Sequence, residues 1–314
     1  MSDRLVYLNG KFVAERDANV SIFDSALMFG DMAFEMTRTF NHQPFKLREH
    51  LERLYNSLRL LEIDCGISID EMEQLTLDVL ARNTPTEPED VDWQIMHDVS
   101  RGPLSVYGSV FPEGIQPTVV INCWPMITHT GGFAEKYETG VDLMIPAQQT
   151  IPAHIVDLKA KVRSRMHYRL AEFQGNRSGN RWPIMLDTDG FLAEGPGWNI
   201  FLVKDGILYT PEGRNVLLGV SRATVIELAV NLGVEVREVN LGRYEALMAD
   251  EMFTTSTPYC MVHVRSFEGQ DVGDGTAGPI FTEIINAWKE SVGVDFVAQA
   301  QTYAERLPQW NQQQ

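Results

Sequence analysis

Leu47, Leu51, Leu54, Leu58 and Leu61 recur every three or four residues, directly after a stretch whose apolar residues alternate. Side chains three or four apart share a face of a helix, whereas those two apart share a face of a strand. The chain therefore carries strands that feed an amphipathic helix near residue 48. Upstream, residues 5–13 read as two short strands around Asn9-Gly10, a dipeptide that tolerates the positive φ of a tight hairpin. Residues 34–40 and 45–47 read as a second strand pair, joined by the polar turn at 41–44. The leucine stripe ends before Gly66. Residues 68–82 predict a second helix, with Ser68 as N-cap and Glu71 three positions on, a capping-box arrangement. Residues 83–90, rich in proline and acidic side chains, form a loop, and 94–101 and 118–124 return to strands.

Residues 128–132 (THTGG) are the best candidate for a small flexible link after Trp124-Pro125. This divides the chain into a domain over 1–127, a linker over 128–132 and a larger domain over 133–314. The second part is denser in strands, at 183–186, 191–193, 199–203 and 207–209, separated by Asp189-Gly190, an E-G-P-G turn and Asp205-Gly206. Residues 221–232 predict a helix capped by Ser221 and stopped by Gly233. Another spans 278–288, and the closing glutamines read as a frayed tail. There are no internal repeats and no regular βαβ rhythm. The fold class expected is α+β, a small α/β domain plus a larger strand-rich domain with helices.

Composition narrows the partners. The 314 residues are 44% hydrophobic and 22% charged, ordinary for a globular protein. A formal net charge of −17 repels nucleic acid and anionic membrane surfaces, so neither is an expected partner. No run approaches the roughly 18 apolar residues that cross a bilayer. Met1-Ser2-Asp3-Arg4 leads into a strand-like segment with no apolar secretory stretch behind it. Cys65, Cys123 and Cys260 are widely spaced and fit no metal motif, which makes free thiols in a reducing cytoplasm the expectation.

Five features could carry chemistry, and each has a plainer explanation. Residues 157–165 (DLKAKVRSR) are cationic within an acidic protein; a solvated basic stretch explains them, as does a lysine desolvated enough to form an imine with an aldehyde. Glu194 lies in a glycine-rich turn (LAEGPGWN, 192–199), where turn geometry alone is a sufficient reason for the glycines, or where they let a ligand ring approach the backbone. Leu218-Gly219-Val220-Ser221-Arg222 opens a helix, which calls for a cap and also suits a phosphate received by backbone N–H groups. Thr254-Thr255-Ser256-Thr257 could satisfy loop backbone or a phosphate. Arg53, flanked on its helix by His50 and Ser57, could be solvated or could pair with a dianion through its planar fork.

The order and spacing of these features resemble the branched-chain/D-amino-acid/(R)-amine aminotransferase superfamily, the class IV aminotransferases of pyridoxal-phosphate fold-type IV. The resemblance runs from Tyr7-Leu8-Asn9-Gly10 to about Trp288. It takes in Ser25 to Asp31 (SALMFGD), Phe34-Glu35, Leu47 to Leu54 (LREHLERL), residues 192–211 (LAEGPGWNIFLVKDGILYTP), the G-V-S-R turn and Pro279-Ile280. It implies a two-domain enzyme using pyridoxal 5'-phosphate (PLP). On this resemblance Lys161 forms the imine, with Lys159 as the competitor on the same face of a strand. Glu194 pairs with the pyridine nitrogen, and Arg53, Val220, Ser221 and Thr257 hold the phosphate. PLP is the electron sink, and the lysine released by substrate carries the proton whose transfer defines transamination.

The resemblance further implies a homodimer that moves an amino group between an amino acid or amine and a 2-oxo acid; the alternative is a PLP lyase resembling aminodeoxychorismate lyase. Phe29, Met36, Arg38 and Arg101 are the expected substrate contacts. Four departures leave the substrate open. Met36 stands where branched-chain enzymes have a small residue. Thr257-Pro258-Tyr259 replaces T-A-A, so a backbone donor is missing at Pro258. Arg163, Arg165, His167 and Arg169 follow the lysine where branched-chain enzymes carry small residues, and the R-x-H pair of D-amino-acid enzymes is absent.

Overall fold

Asn9 and Gly10 sit at positive φ, 47° and 86°, and close the hairpin of β1 (Leu5–Leu8) and β2 (Lys11–Ala14) in the computed structural model, which describes residues 4–313. The chain divides into two compact units: one holds the described residues up to Ile127, Ala160–Arg165 and those from Pro308, and the other holds Thr128–Lys159 and Met166–Leu307.

In the first unit α1 (Ser25–Phe29) precedes β3 (Met32–Phe40), β4 (Gln43–Pro44), α2 (Leu47–Leu60), α3 (Ile69–Asn83), β5 (Trp93–Ser100) and β6 (Thr118–Pro125). The six strands form an antiparallel sheet in the order β2-β1-β6-β5-β3-β4. The leucine stripe is the reason α2 exists as a packed helix. Leu47, Leu51, Leu54 and Leu58 are buried in one core with Met72 and Val79 of α3 and Trp93, Ile95 and Ile121 of the sheet. Ser68 Oγ accepts from the Glu71 N–H at 3.2 Å, so the expected cap of α3 is present. Residues 45–47 are not a strand: Lys46 turns into the left-handed region at φ 50°, and Leu47 begins α2.

The second unit contains α4 (Ile127–Gly131, whose last residues it holds), α5 (Ala134–Thr139), β7 (Val141–Met144), α6 (Met166–Arg177), β8 (Trp182–Pro183), β9 (Asn199–Lys204), β10 (Ile207–Pro211), α7 (Val220–Asn231), β11 (Val236–Val239), α8 (Arg243–Leu247), β12 (Glu251–Ser256), β13 (Cys260–Phe267), β14 (Gln270–Asp271) and α9 (Pro279–Val292). α10 (Phe296–Gln313) closes the described chain, so the glutamines expected to fray are helical as far as Gln313; Gln314 lies outside the described residues. The sheet order is β11-β10-β9-β12-β13-β7-β8, with β14 on β13. It is mixed: β10–β11, β13–β7 and β7–β8 are parallel and the rest antiparallel. Val141, Leu143, Ile200, Leu202, Val262 and Val264 form its core.

Two expectations are corrected here. The THTGG segment is helical as far as Gly131 rather than a flexible link, and that glycine serves packing: a Cβ on Gly131 would lie 2.9 Å from the Tyr303 backbone. The helix after the G-V-S-R turn begins at Val220 with Gly219, not Ser221, as N-cap, and no side chain caps it.

Candidate active site

Lys161 is tied into the first unit by its backbone. The Phe34 N–H donates to the Lys161 carbonyl at 3.0 Å and the Arg163 N–H to the Met32 carbonyl at 2.9 Å, so residues 161–163 run against β3. The Lys161 N–H donates to Ser57 Oγ at 3.0 Å. This is an isolated bridge rather than the regular strand expected from sequence. Its Nζ stands 4.6 Å from the centre of the Phe34 ring. Lys159, the competitor, lies in a turn, is about half exposed and faces Asp157 at 3.9 Å.

Below that bridge lies a buried charged group. Glu35, wholly buried, accepts from Arg53 Nε at 2.6 Å, Arg53 Nη2 at 2.8 Å and His50 Nδ1 at 2.8 Å. Burial pushes the Glu35 carboxyl up, but the Arg53 guanidinium and His50 outweigh it, and the net is well below the usual carboxylate range. His50 moves down because burial outweighs its bond to Glu35. Ser57 Oγ in turn donates to the Arg53 carbonyl at 2.8 Å, so one serine joins the Arg53 turn of α2 to the Lys161 backbone. The structure thus brings Lys161 and Arg53 together.

The substrate contacts expected from sequence fare differently. Met36 shares a face of β3 with Phe34, and its Sδ meets Gln94 Nε2 at 2.7 Å. Arg38 is buried, donates from Nε to the Thr39 carbonyl at 3.3 Å and lies 4.1 Å over the Phe40 ring. Arg101 is bound elsewhere: to Asp31 at 2.8 Å and to the carbonyls of Glu62 at 2.9 Å and Leu61 at 2.6 Å. A substrate carboxylate reaching Arg101 would have to displace part of that set. Phe29 is 68% exposed at the end of α1. Arg163 Cζ lies 3.8 Å and Arg165 Cζ 5.5 Å from the same Phe34 ring that faces Lys161. Arg163 is paired with Asp98 at 2.8 Å.

In the second unit Glu194 is buried and accepts hydrogen bonds from Tyr168, Leu217 and Asn199. Tyr168 Oη donates to Oε1 at 2.6 Å, while the Leu217 N–H at 2.7 Å and Asn199 Nδ2 at 3.3 Å donate to Oε2. Asn199 also donates to the Leu217 carbonyl at 3.0 Å. This binds the E-G-P-G-W-N turn to the segment entering α7. A Cβ on Gly219 would fall 2.3 Å from Asn199 Oδ1, so the close approach requires glycine. Asn199 is the register partner of Thr255, and Ser256 Oγ donates to the Gly197 carbonyl at 2.6 Å. Glu194, Val220, Ser221 and the turn carrying Thr257 are therefore neighbours.

These residues fit PLP. α7 is 12 residues long, with no acidic residue in its first turn and no side chain capping its first N–H groups, which leaves them a phosphate's natural donors. Arg222, by contrast, is structural, with Nη2 at 2.9 Å from the Pro211 carbonyl and 2.6 Å from Glu238. Sequence reasoning missed Tyr168 and the pairing of Glu35 with Arg53. The signal for Glu35 was its place one residue from Phe34 on a strand facing a helix rich in His and Arg. Tyr168 gave none, because α6 exposes Met166, Leu170 and Phe173 and buries Tyr168, Ala171 and Gly175.

No helix among the described residues is long and apolar enough to cross a membrane, and no group of metal-ligating side chains is present among them. Residues 32–267 match the family described as amino-transferase class IV. The branched-chain-amino-acid aminotransferase of Escherichia coli strain K12 is 32% identical over 289 residues, covering 90% of this chain and 91% of that protein. A crystal structure of the E. coli branched-chain amino acid aminotransferase superposes with a TM-score of 0.83 at 32% identity, covering 92% of this chain and 94% of that one. A T.th. branched-chain amino acid aminotransferase with pyridoxamine 5'-phosphate gives 0.82 at 29% identity, covering 93% of this chain and 95% of that one. The family match spans most of the chain and the relatives match it over nine-tenths of their length, so the chain belongs to the class IV aminotransferases.

Proposed function

We propose that this aminotransferase moves an amino group between a small amino acid or amine and a 2-oxo acid, with Lys161 as the residue joined to PLP. The observation that carries the reading is Glu194, a buried carboxylate held by Tyr168, Asn199 and the Leu217 N–H. A buried anion is costly unless a ligand or hydrogen bonds hold it, and here the bonds leave it oriented as a fixed partner for a protonated ring nitrogen. PLP, when bound, supplies the electron sink at the amino-bearing carbon. The chain's own residues do the rest. Lys161 accepts and returns the proton at that carbon through its Nζ. Glu194 holds the ring-nitrogen proton. Arg53, the N–H groups of Val220 and Ser221, and Thr257 anchor the phosphate.

The relatives above are named for branched-chain amino acids. Met36, Pro258 and the arginines after Lys161 are the departures from the branched-chain pattern that the sequence resemblance marks, and they bear on the substrate rather than on the cofactor. We assign the substrate carboxylate to Arg165, whose guanidinium shares the Phe34 ring with Lys161.

A homodimer is supported by an apolar surface in the first unit. Ile22, Leu27, Phe29 and Val106 are exposed, and the segments carrying them are joined by the Leu104 N–H to the Phe23 carbonyl at 3.2 Å. The acidic surface and the three free cysteines suit a reducing cytoplasm.

The test is a panel of amino donors mixed with the purified protein and PLP, read by the change in visible absorbance as the cofactor takes the amino group. A donor that converts the cofactor, with the change reversed by a 2-oxo acid, supports the reading. Release of pyruvate from an aminated donor without conversion of the cofactor would make the enzyme a lyase.

A further inference from the structure

We propose that Tyr168 is a positioning residue for Glu194, holding one carboxylate oxygen and setting how strongly that carboxylate draws the proton of the cofactor's ring nitrogen. The inference rests on the assignment of Glu194 to that nitrogen. Tyr168 lies in the first turn of α6 and packs with Ala171 and Met185. Met185 is itself in backbone register with the glutamate: its N–H donates to the Glu194 carbonyl at 3.1 Å, and its carbonyl accepts from the Ala193 N–H at 2.9 Å. The phenol and the carboxylate are thus fixed to the same stretch of backbone, and both side chains are buried.

The two oxygens of Glu194 are held differently. Oε2 takes a backbone N–H and an amide, groups whose positions follow from the turn itself. Oε1 takes the Tyr168 hydroxyl at 2.6 Å, within the range of a bond from a hydroxyl to an ionised oxygen. A phenol donating to a carboxylate stabilises the charged form and lowers its appetite for a second proton. Without the hydroxyl, Glu194 is the stronger base and draws the shared proton away from the ring, which weakens the ring as an acceptor of electrons. The effect on turnover passes through Glu194.

The experiment compares wild type, Tyr168→Phe, Glu194→Gln and the double variant, each as the PLP-loaded enzyme. Phenylalanine keeps the ring that packs with Ala171 and Met185. Tyr168→Phe is expected to retain PLP, to shift the pH dependence of the cofactor's visible absorbance and to lower kcat by about tenfold or more, as loss of a hydrogen bond to a charged group does. The double variant should be no slower than Glu194→Gln alone, and the absorbance titration of Glu194→Gln should not respond to loss of the hydroxyl. An unchanged titration and turnover in Tyr168→Phe, with Glu194→Gln impaired, would overturn the role of Tyr168 and leave that of Glu194 standing. Wild-type turnover in Glu194→Gln would instead remove the assignment beneath it. Additive losses in the double variant would show that Tyr168 acts on the fold and not through Glu194.

Discussion

Glu35→Gln is the substitution from which the first unit's site should suffer most. The carboxylate is wholly buried and takes three charge-assisted bonds, from Arg53 Nε at 2.6 Å, Arg53 Nη2 at 2.8 Å and His50 Nδ1 at 2.8 Å. Glutamine keeps one acceptor and turns an N–H₂ toward a donor, so at least one bond becomes a repulsion and the guanidinium keeps its charge but loses the Glu35 carboxylate. Breaking one partner of a buried pair costs about 3–5 kcal/mol; the acceptor that glutamine retains places this case near the lower end, at about 3 kcal/mol. Urea unfolding of the cofactor-free protein at neutral pH measures it. Replacing both partners, as Glu35→Gln with Arg53→Met, should recover part of that loss, because no unpaired charge stays buried. The phosphate affinity behaves otherwise: PLP should dissociate more readily from Glu35→Gln and from the double variant alike, since Arg53 is loosened in one and absent in the other. A loss below about 1 kcal/mol, with PLP held as in the wild type, would refute the claim that Glu35 organises Arg53.

Burial takes the His97 pKa from its ordinary 6.5 down to about 4; the folded state then binds fewer protons than the unfolded, so stability is full above 6.5 and falls by about 3 kcal/mol as pH drops toward 4, and His97→Gln should flatten urea midpoints measured across that window. Its Nε2 meets Thr76 Oγ1 at 2.7 Å while Nδ1 has no hydrogen-bond partner among the described residues, which is why a second proton has no place there. Arg165→Ala should raise KM for the 2-oxo acid by about tenfold or more and spare an amine without a carboxylate, whereas Arg101→Ala should lower the unfolding midpoint and leave the ratio of the two substrates unchanged. Gly219→Ala puts a methyl 2.3 Å from Asn199 Oδ1 and should weaken PLP retention by displacing the amide that holds Glu194, seen as faster loss of visible absorbance on dialysis.

How much was legible in the sequence depended on whether the signal was local. The Asn9-Gly10 hairpin, the Ser68 cap and the leucine stripe of α2 follow from backbone preference and periodicity within a few residues, and all are present. Residues 45–47 misled because Lys46 takes a left-handed φ that its side chain does not advertise. Thr128 to Gly132 misled because glycine is read as freedom, while here Gly131 is a contact surface for the backbone of Tyr303. α6 was missed since the apolar side chains that would mark its inner face are those it exposes. At the candidate site, Lys161, Arg53 and Glu194 are singled out by the motifs they share with the family. Their supports were not, because Glu35 and Arg53 are 18 residues apart and Tyr168 and Glu194 are 26 apart, and nothing local ties such pairs. The partners of Arg101 are illegible for the same reason: Asp31 and the carbonyls at 61 and 62 lie far away in sequence.

The central claim is that PLP is joined to Lys161, and borohydride reduction of the PLP-loaded protein followed by peptide mapping tests it directly. Reduction fixes the cofactor to its lysine. The account predicts the label on Lys161, whose backbone is held by Phe34 and Ser57 beside the Arg53 pair. Label on Lys159, the exposed neighbour facing Asp157, would contradict it, as would a protein that carries no label at all.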